Sequence, residues 1–180
     1  MQVTLAGAPV LETERLILRA PVADDWPVWD EFMRSDRASH VGGPMVQPGQ
    51  SWRNFGHFIG HWVLRGYGMF VMIEKDSRQV LGATGPWFPE GWAEHEIGWM
   101  IWRPEAEGRG FAHEAARAAR AHAFDRLGWT TAVSYIAPEN AASIALALRL
   151  GAQPDPDAAL PASPRDMGRI VVYRHPREDA

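Results

Sequence analysis

Hydrophobic and polar residues along this chain follow two different periods, and each period predicts one kind of element. Short runs rich in β-branched and aromatic residues predict strands. The six predicted strands cover residues 15–19, 69–74, 80–85, 94–102, 130–136 and 168–174. Apolar residues at helical spacing predict helices between them. Four helices are predicted. The first begins after Asp24 or Asp25, and the other three cover residues 51–65, 110–127 and 141–149.

The order of these elements predicts a mixed sheet. Residues 69–74 and 80–85 flank a short polar turn, which is typical of an antiparallel hairpin. The strands at 94–102 and 130–136 are separated by a long helix, so we expect them to pair in parallel through a right-handed crossover. Residues 1–180 are therefore expected to form a single α/β (or α+β) domain.

Two segments lack either period. Residues 1–12 are expected to be a loose lead-in. Residues 154–164 hold four of the 14 prolines and are expected to form a surface loop, because proline lacks the N–H group that a helix or inner strand needs. Glycine and proline at 42–49 and at 86–91 predict two further irregular connections.

Composition contributes mainly by excluding classes of function. The net charge is −4 over 180 residues, so we expect neither nucleic acid nor a membrane as a partner. No apolar run reaches the roughly 18 residues of a membrane-spanning helix, and the N-terminus lacks the basic start of a signal peptide. The absence of cysteine excludes disulfides, thiolate metal sites and a thiol nucleophile. Together these features predict a cytoplasmic protein.

The stretch from residue 96 to residue 115 carries the most specific chemistry. An apolar strand is followed by Gly108-Arg109-Gly110 and then by the start of an alanine-rich helix. The N-terminus of a helix presents unpaired N–H groups and the positive end of the helix dipole, which favour an anion. Glycine lets a phosphate approach the backbone closely. Residues 107–113 are therefore predicted to hold a phosphate-bearing cofactor.

Three linked segments give a specific resemblance to a known family. One resembles the acetyl-CoA motif of the Gcn5-related N-acetyltransferase (GNAT) family and reads Glu96-Ile97-Gly98-Trp99, Pro104-Glu105, Gly108-Arg109-Gly110-Phe111-Ala112 and Glu114-Ala115. The second resembles the strand–helix unit that follows in that family and reads Pro138-Glu139-Asn140, Ser143 and Leu150-Gly151. The third is Arg15-Leu16-Ile17-Leu18-Arg19 near the start. The match covers residues 14 to about 175 and is closest to the ribosomal-protein alanine and serine N-terminal acetyltransferases.

The resemblance implies a fold and a cosubstrate. The fold is a mostly antiparallel sheet with a parallel central pair that is splayed at a bulge, here expected at Gly98, and flanked by about four helices. The cosubstrate is acetyl-CoA, with its pyrophosphate on the backbone of the glycine turn and its pantetheine along the preceding strand. The implied binding residues are Met100, Ile101, Trp102, Glu107, Gly108, Arg109, Gly110, Phe111, Ala112, His113 and Asn140.

Glu107 departs from the family pattern, which has glutamine or arginine at this position. A carboxylate there is repelled by a phosphate. Either the side chain points outward while the backbone binds, or the affinity for the cosubstrate is reduced. Arg109 has two interpretations as well, because it is expected either to contact phosphate or to be a solvated loop residue.

Acetyl transfer to an amine requires removal of a proton, because a lysine side chain has a pKa of about 10.4 and an α-amino group of about 8. A carboxylate is suited to this, directly or through water. Glu96 shares a strand face with Gly98, beside the implied thioester, and is the preferred base. Glu94 lies two residues further back on that face and is the second candidate. The alternative is that Glu96 only hydrogen-bonds the neighbouring loop.

A proton donor for the departing thiolate is missing from its usual place. Many GNAT relatives have a tyrosine there, and the resemblance assigns Ala147 to that position. Ser143 is the substitute that the closest branch suggests. Both Ser143 and Asn140 have a second interpretation, since each residue type commonly forms hydrogen bonds at the start of a helix.

Histidine and tryptophan complete the set of candidate residues. His57 and His61 stand four residues apart on a helix, but no third ligand is identifiable, so we interpret them as ordinary helix residues and predict no metal site. Most of the nine tryptophans are expected to lie in the core. Trp87 or Trp92, in the irregular hairpin, is expected to contact the acceptor.

The leading functional hypothesis is an acetyl-CoA-dependent N-acetyltransferase that works by direct attack in a ternary complex. The acceptor is then a peptide N-terminus or a small-molecule amine. The alternative is a non-catalytic acyl-CoA-binding sensor on the same fold. A dinucleotide oxidoreductase is disfavoured, because His113 occupies the place of the third glycine in its fingerprint. A homodimer is the default expectation for this fold.

Overall fold

The strands join in one mixed sheet in a computed structural model that describes residues 4–47, 49–162 and 169–177. In this part of the chain they are β1 (Leu11–Glu12), β2 (Leu16–Arg19), β3 (Phe70–Glu74), β4 (Val80–Trp87), β5 (Glu96–Ile101), β6 (Val133–Ile136), β7 (Gln153–Pro154) and β8 (Val171–Arg174). Their order across the sheet is β1-β2-β3-β4-β5-β6-β8-β7. All neighbours are antiparallel except β5 and β6, which confirms the predicted mixed sheet with a parallel central pair.

Helices cover both faces of this sheet. Within the described residues the α-helices are α1 (Trp26–Arg34), α2 (Gln50–Arg65), α3 (Phe111–Asp125) and α4 (Ala141–Arg149). In β3, Val71 and Ile73 pack with α1 and α2, whereas Phe70 and Met72 pack with α3. This alternation follows from the two-residue period of a strand, and it explains why β3 is apolar throughout. None of the helices in this part of the chain has the length and hydrophobicity needed to cross a bilayer.

Two boundaries in the first half differ from the prediction. The predicted lead-in contains a strand, since Leu11 and Glu12 form β1 and pair with β2. The second arm of the hairpin continues through Pro86, which pairs with Ile97 of β5. A proline is tolerated there because β3 accompanies β4 only as far as Thr84, so the missing N–H is not needed on that side.

The C-terminal part also differs in detail. Pro154, the first residue of the predicted surface loop, forms β7 together with Gln153 and pairs with β8. Residues 163 and 164 of that loop lie outside the described residues. The predicted last strand is confirmed as β8, while Gly168, its expected first residue, lies outside them too.

Candidate active site

The site begins where β5 and β6 stop pairing. Their backbone register contains one pair, Glu96 with Val133. At the next position the Ser134 hydroxyl bridges the strands by donating to the Ile97 carbonyl, with an O···O distance of 2.6 Å. Nε2 of the buried His175 lies 2.9 Å from the same hydroxyl. Beyond this bridge the edge of β5 that faces β6 has no partner among the described strands, so the sheet opens.

The Ser134–His175 pair is fixed in one protonation state. The single hydroxyl proton of Ser134 goes to Ile97, so His175 donates from Nε2. Burial, with a smaller effect from the positive charge of Arg120, lowers the pKa of His175 to about 3. His175 is therefore neutral at physiological pH, and the bridge acts as a fixed spacer between the strands.

Gly98, the expected bulge, pairs normally with Gly85 of β4. The register of β4 against β5 runs without a shift from Gly82 to Trp87, so the opening of the sheet does not depend on a bulge against β4. The irregular backbone is that of Gly85, with φ +134°. A Cβ at Gly98 would lie 2.3 Å from Cε of Met69, the end of a flexible side chain, so a larger residue there would displace that methyl group.

A cavity of about 460 Å³ lies along β5 at this opening. Its walls are largely aromatic and include Trp29, Phe58, Trp87, Trp92 and Trp99. Both tryptophans that were predicted to contact an acceptor, Trp87 and Trp92, therefore line the same cavity. Its size and mixed lining are typical of a pocket for a small molecule.

Glu96 lines this cavity at the point where β5 and β6 part. The indole N–H of Trp92 donates to its Oε2 atom at 2.6 Å. Burial raises the pKa of Glu96 to about 7, although hydrogen bonds from Trp92 and from the backbone of Tyr135 oppose the shift. A carboxyl group with this pKa exchanges a proton readily at neutral pH.

Glu94, the second candidate base, has a different environment. Both of its carboxylate oxygens accept hydrogen bonds from Arg174, at 2.7 and 2.9 Å. Arg174 also bonds Asp155 and the hydroxyl of Thr131, so Glu94 belongs to a polar network that ties β8 to the segment before β5. Glu94 is not among the cavity-lining residues, and the structure thus separates the two candidates.

The predicted phosphate turn has the geometry of an anion site. Gly108 and Gly110 adopt left-handed backbone angles, with φ of +71° and +81°, and Gly110 is the N-cap residue of α3. None of the N–H groups of residues 108–113 donates to an acceptor in the described part of the chain. They sit at the positive end of a 15-residue helix. An anion that reaches this turn meets several free donors.

Glu107 is neutralised by an arginine that the sequence did not point to. Arg37 lies in a 3-10 helix over Asp36–Val41, and its guanidinium bonds the Glu107 carboxylate through Nε, at 3.0 Å, and through Nη2. The same guanidinium donates to the carbonyls of Ile101 and Trp102 at 2.9 and 2.7 Å. The carboxylate is thereby held outward while the Glu107 backbone enters the turn.

The other side chains of the turn are engaged with protein. Arg109 bonds Glu74 at 3.1 Å and lies over the ring of the buried Phe111. Ala112 packs toward α4, and His113 is partly buried in the next position. Of the three residues expected along the pantetheine, Met100 lines the cavity, Trp102 is buried and Ile101 is partly buried. The backbone, rather than these side chains, is what the turn offers to a ligand.

Comparison with known proteins identifies this arrangement. The sequence model of the acetyltransferase (GNAT) domain matches residues 15–153. The chain belongs to the GNAT acetyltransferase family. An acetyltransferase from Agrobacterium tumefaciens str. C58 has a similar structure, with 35% sequence identity, a TM-score of 0.85 and coverage of 98% of this GNAT chain and 99% of that one. Acetyl transfer is therefore the chemistry of this protein.

Ribosomal-protein acetyltransferases share the fold at lower identity. The ribosomal α-N-protein acetyltransferase RimL, in complex with coenzyme A, has a TM-score of 0.72 at 16% identity, with 93% of this GNAT chain and 97% of RimL covered. A ribosomal-protein alanine acetyltransferase from Vibrio fischeri has a TM-score of 0.65 at 13% identity, with coverage of 95% and 98%. These two likenesses establish the fold alone.

In this GNAT protein Asn140 and Ser143, at the start of α4, form helix-start hydrogen bonds, and Ser143 also contacts a residue of the cavity. Oδ1 of Asn140 accepts the N–H of Ser143 at 3.1 Å, so Asn140 caps the helix. Oγ of Ser143 accepts the indole N–H of Trp99, a cavity residue, at 3.1 Å. Ala147, at the position of the usual tyrosine, is fully buried. Ser143 therefore reaches the cavity wall through Trp99, whereas Ala147 has no polar group to offer.

The two helical histidines of this GNAT protein have separate roles. Nδ1 of His61 lies 2.8 Å from the Tyr67 carbonyl, and its Nε2 accepts the N–H of Phe88 at 2.9 Å. Both ring nitrogens are thus used by the backbone, while His57 lines the cavity. No group of three or more potential metal ligands occurs among the described residues.

Sequence reasoning missed Arg37, Ser134 and His175. Arg37 precedes Glu107 by 70 residues, and Ser134 and His175 are 41 residues apart, so no local spacing connects them. A weak signal existed for Ser134 alone, as a polar residue inside a β-branched strand. Each of the three acts through a contact that only the folded sheet creates.

Proposed function

We propose that this GNAT acetyltransferase transfers an acetyl group from acetyl-CoA to a primary amine by direct attack in a ternary complex. The observation that carries the proposal is Glu96, a carboxyl group with a pKa near 7 on an aromatic cavity beside the opened strands. A general base is most effective when its pKa lies near the working pH. Glu96 meets that condition, and it is the carboxyl group found at the opening of β5 and β6.

The glycine turn supports acetyl-CoA as the donor. Free N–H groups over residues 108–113 suit its pyrophosphate, and Arg37 removes the charge conflict that Glu107 would otherwise create. The unpaired edge of β5, including Met100, suits the extended pantetheine, because the amide groups of pantetheine can hydrogen-bond the backbone of a strand edge. Asn140 is a further proposed contact for pantetheine, from the start of α4. Bound there, acetyl-CoA supplies an activated acetyl group at the cavity.

The proposed reaction uses the chain's own groups for each proton. Glu96, ionised, takes a proton from the acceptor ammonium or from its attacking nitrogen. The nitrogen forms a bond to the thioester carbon, the carbon–sulfur bond breaks, and coenzyme A leaves as a thiolate. The indole N–H of Trp99 is donated to Oγ of Ser143, which leaves the hydroxyl proton of Ser143 free to be donated to that thiolate. The absence of cysteine excludes an acetyl-cysteine route.

Replacement of Glu96 tests the proposal. In the wild type we expect kcat/KM to fall an additional tenfold per pH unit below about pH 7, beyond the effect of the amine's own ionisation, because the carboxylate becomes protonated. Glu96→Gln should lower kcat about 10²–10⁴-fold and remove this additional fall of kcat/KM at acidic pH. Release of coenzyme A, followed with a thiol reagent from about pH 5 to about pH 9, is the measurement, since this range extends about two units to either side of the pKa of Glu96.

Glu94→Gln is the matched control, since it removes a carboxylate that does not line the cavity. We expect it to keep the pH profile of the wild type. Full turnover of Glu96→Gln at every pH would exclude Glu96 as the base. Binding of acetyl-CoA without stimulated release of coenzyme A by any amine would instead indicate a sensor on this fold.

A further inference from the structure

The charged side chains on the cavity lining carry one sign. In the described part of the chain, Glu90 and Glu96 contribute carboxylates to the lining, and no lysine or arginine does. Glu90 is exposed, with Arg65 3.6 Å away outside the lining. The ring of His57, also on the lining, has its pKa lowered by burial, so it adds no charge at neutral pH. Such a cavity attracts an ammonium group and repels an acidic acceptor.

The aromatic wall of the cavity is rigid. The ring of Trp87 is stacked on His61, with centroids 4.3 Å apart and an interplanar angle of 16°. His61 is itself held at both ring nitrogens. Phe58 and Trp29 are stacked with centroids 5.0 Å apart. Flat surfaces fixed in this way favour a flat apolar group, because little freedom is lost when it binds.

The hydroxyl groups of the lining are already used. The hydroxyl of Ser134 is shared between Ile97 and His175, and the hydroxyl of Tyr135 donates to the Ala159 carbonyl at 3.0 Å. Peptide groups that enter the cavity would lose water without gaining these partners, which is unfavourable. The β6 side of the lining is thus matched to an acceptor whose only polar group is its amine, and the other uncharged polar side chains of the lining, among them His40 and Asn54, lie on the 3-10 helix over Asp36–Val41 and on α2.

From these three features we infer that the acceptor is a small primary monoamine that carries an aromatic ring. This inference rests on the proposed acetyl transfer, and it names the class of acceptor for the same site. Glu96 faces the amine, while Trp87, Phe58 and Trp29 form the surface for the ring. A peptide N-terminus and an acidic amine are excluded classes, since they bring peptide groups or a negative charge that this lining does not match. A polyamine is excluded because Glu90, the second carboxylate, is exposed beside Arg65, which leaves Glu96 as the carboxylate for a buried ammonium group.

A panel of purified acceptors tests the inference with the full-length protein. The probes are 2-phenylethylamine, tryptamine, n-butylamine, spermidine, glutamate and a tetrapeptide with a free serine N-terminus. We expect kcat/KM for the two aromatic monoamines to exceed that for each other probe at least tenfold. A peptide, a polyamine or glutamate with the highest kcat/KM would overturn the acceptor class but leave acetyl transfer standing. Binding of acetyl-CoA with no transfer to any probe overturns both.

Substitution of the wall separates ring recognition from folding. Trp87→Leu should lower kcat/KM for 2-phenylethylamine at least tenfold and that for n-butylamine less than threefold, with the Kd of acetyl-CoA unchanged. Trp52→Leu is the matched control, because Trp52 is an exposed tryptophan of α2 that does not line the cavity. It should leave all three values unchanged. Equal losses for both amines in Trp87→Leu would overturn the role of the ring.

Discussion

Trp92 and Glu96 form a unit in which each residue sets the behaviour of the other. The indole N–H is donated to the carboxyl group at 2.6 Å and favours its ionised form. Burial has the opposite and larger effect, and the balance leaves the pKa of Glu96 at about 7. A tryptophan expected only to contact an acceptor thus also holds the proposed base in place. The pH at which Glu96 can act therefore depends on its burial and, in the opposite direction, on a residue four positions earlier.

Trp92→Phe removes this hydrogen bond and keeps an aromatic ring. Since a hydrogen bond to a charged group contributes about 1.5–3 kcal/mol, its loss should raise the pKa of Glu96 by about 1–2 units. We expect the acidic limb of kcat/KM to move to higher pH by that amount, as read from a pH profile of acetyl transfer. Trp52→Phe should not move it. An unmoved limb in Trp92→Phe would show that the indole N–H has no effect on the base.

At the scale of elements, the phosphate turn depends on a partner from another part of the chain. Glu107 belongs to the turn, whereas Arg37 belongs to the 3-10 helix after α1. The pair allows an acidic residue at a position that faces a polyanion. Its stability contribution is modest, because both side chains are partly exposed. Its effect on the binding of a phosphate is expected to be larger, since Glu107 belongs to the turn that is proposed to bind the phosphate.

Arg37→Ala should weaken acetyl-CoA binding about tenfold, or about 1.4 kcal/mol, by leaving the Glu107 carboxylate uncompensated. The double variant Arg37→Ala/Glu107→Gln should recover most of that loss, because it also removes the repelling charge. Calorimetric titration with acetyl-CoA gives the Kd values. Arg34→Ala, at an exposed arginine of α1, is the control. Equal Kd values for the wild type and Arg37→Ala would contradict this role.

Glu114 joins the first turn of α3 to the N-terminal hairpin. Its carboxylate accepts hydrogen bonds from the hydroxyl of Thr13 at 2.6 Å and from the backbone N–H and Nε of Arg15 at 2.8 and 2.6 Å. Burial alone would raise its pKa, but the bonds from Thr13 and Arg15 outweigh burial and lower it. The ionised form is therefore the one that stabilises the fold.

Glu114→Gln should lower the free energy of unfolding at neutral pH by about 1–3 kcal/mol. Because the folded pKa is lowered, this contribution is present above the unfolded value of 4.5 and is lost as the pH falls below it. The difference in the free energy of unfolding between wild type and variant, measured by urea titration, should thus shrink as the pH is lowered from about 7 to about 3.5. Glu105→Gln, at an exposed position, should show little difference at either pH. A constant difference across the range would contradict the linkage.

At the scale of the whole molecule, local pattern predicted most of the sheet and helices. The long apolar strands and the α3 helix follow from periodicity, and the glycine turn follows from its spacing. β1 was missed because a two-residue strand has no period of its own. The end of β4 was misplaced because Pro86 is tolerated only where β3 has already ended, a fact of sheet order and not of sequence.

The candidate site was predictable where its residues lie in one segment. Glu96 and residues 107–113 belong to such a segment, in which Glu96 begins β5 and the turn leads into α3. The pairing of Glu94 with Arg174 was not predictable, since the two lie 80 residues apart. Arg37 and the Ser134–His175 bridge were unpredictable for the same reason. Distant charges and hydroxyls find partners only when the sheet assembles.

The 3-10 helix over Asp36–Val41 touches both halves of the site. Arg37, near its start, holds the phosphate turn and the end of β5, and His40 and Val41, at its end, line the cavity. Two ligands that order the same short element bind cooperatively, and the coupling is reciprocal. We expect a saturating amine analogue to tighten acetyl-CoA binding by about fivefold or more, acetyl-CoA to tighten the analogue by the same factor, and Arg37→Ala to abolish both effects in calorimetric titrations. Each substrate would then favour the retention of the other, so that the donor is less readily lost before an acceptor has arrived.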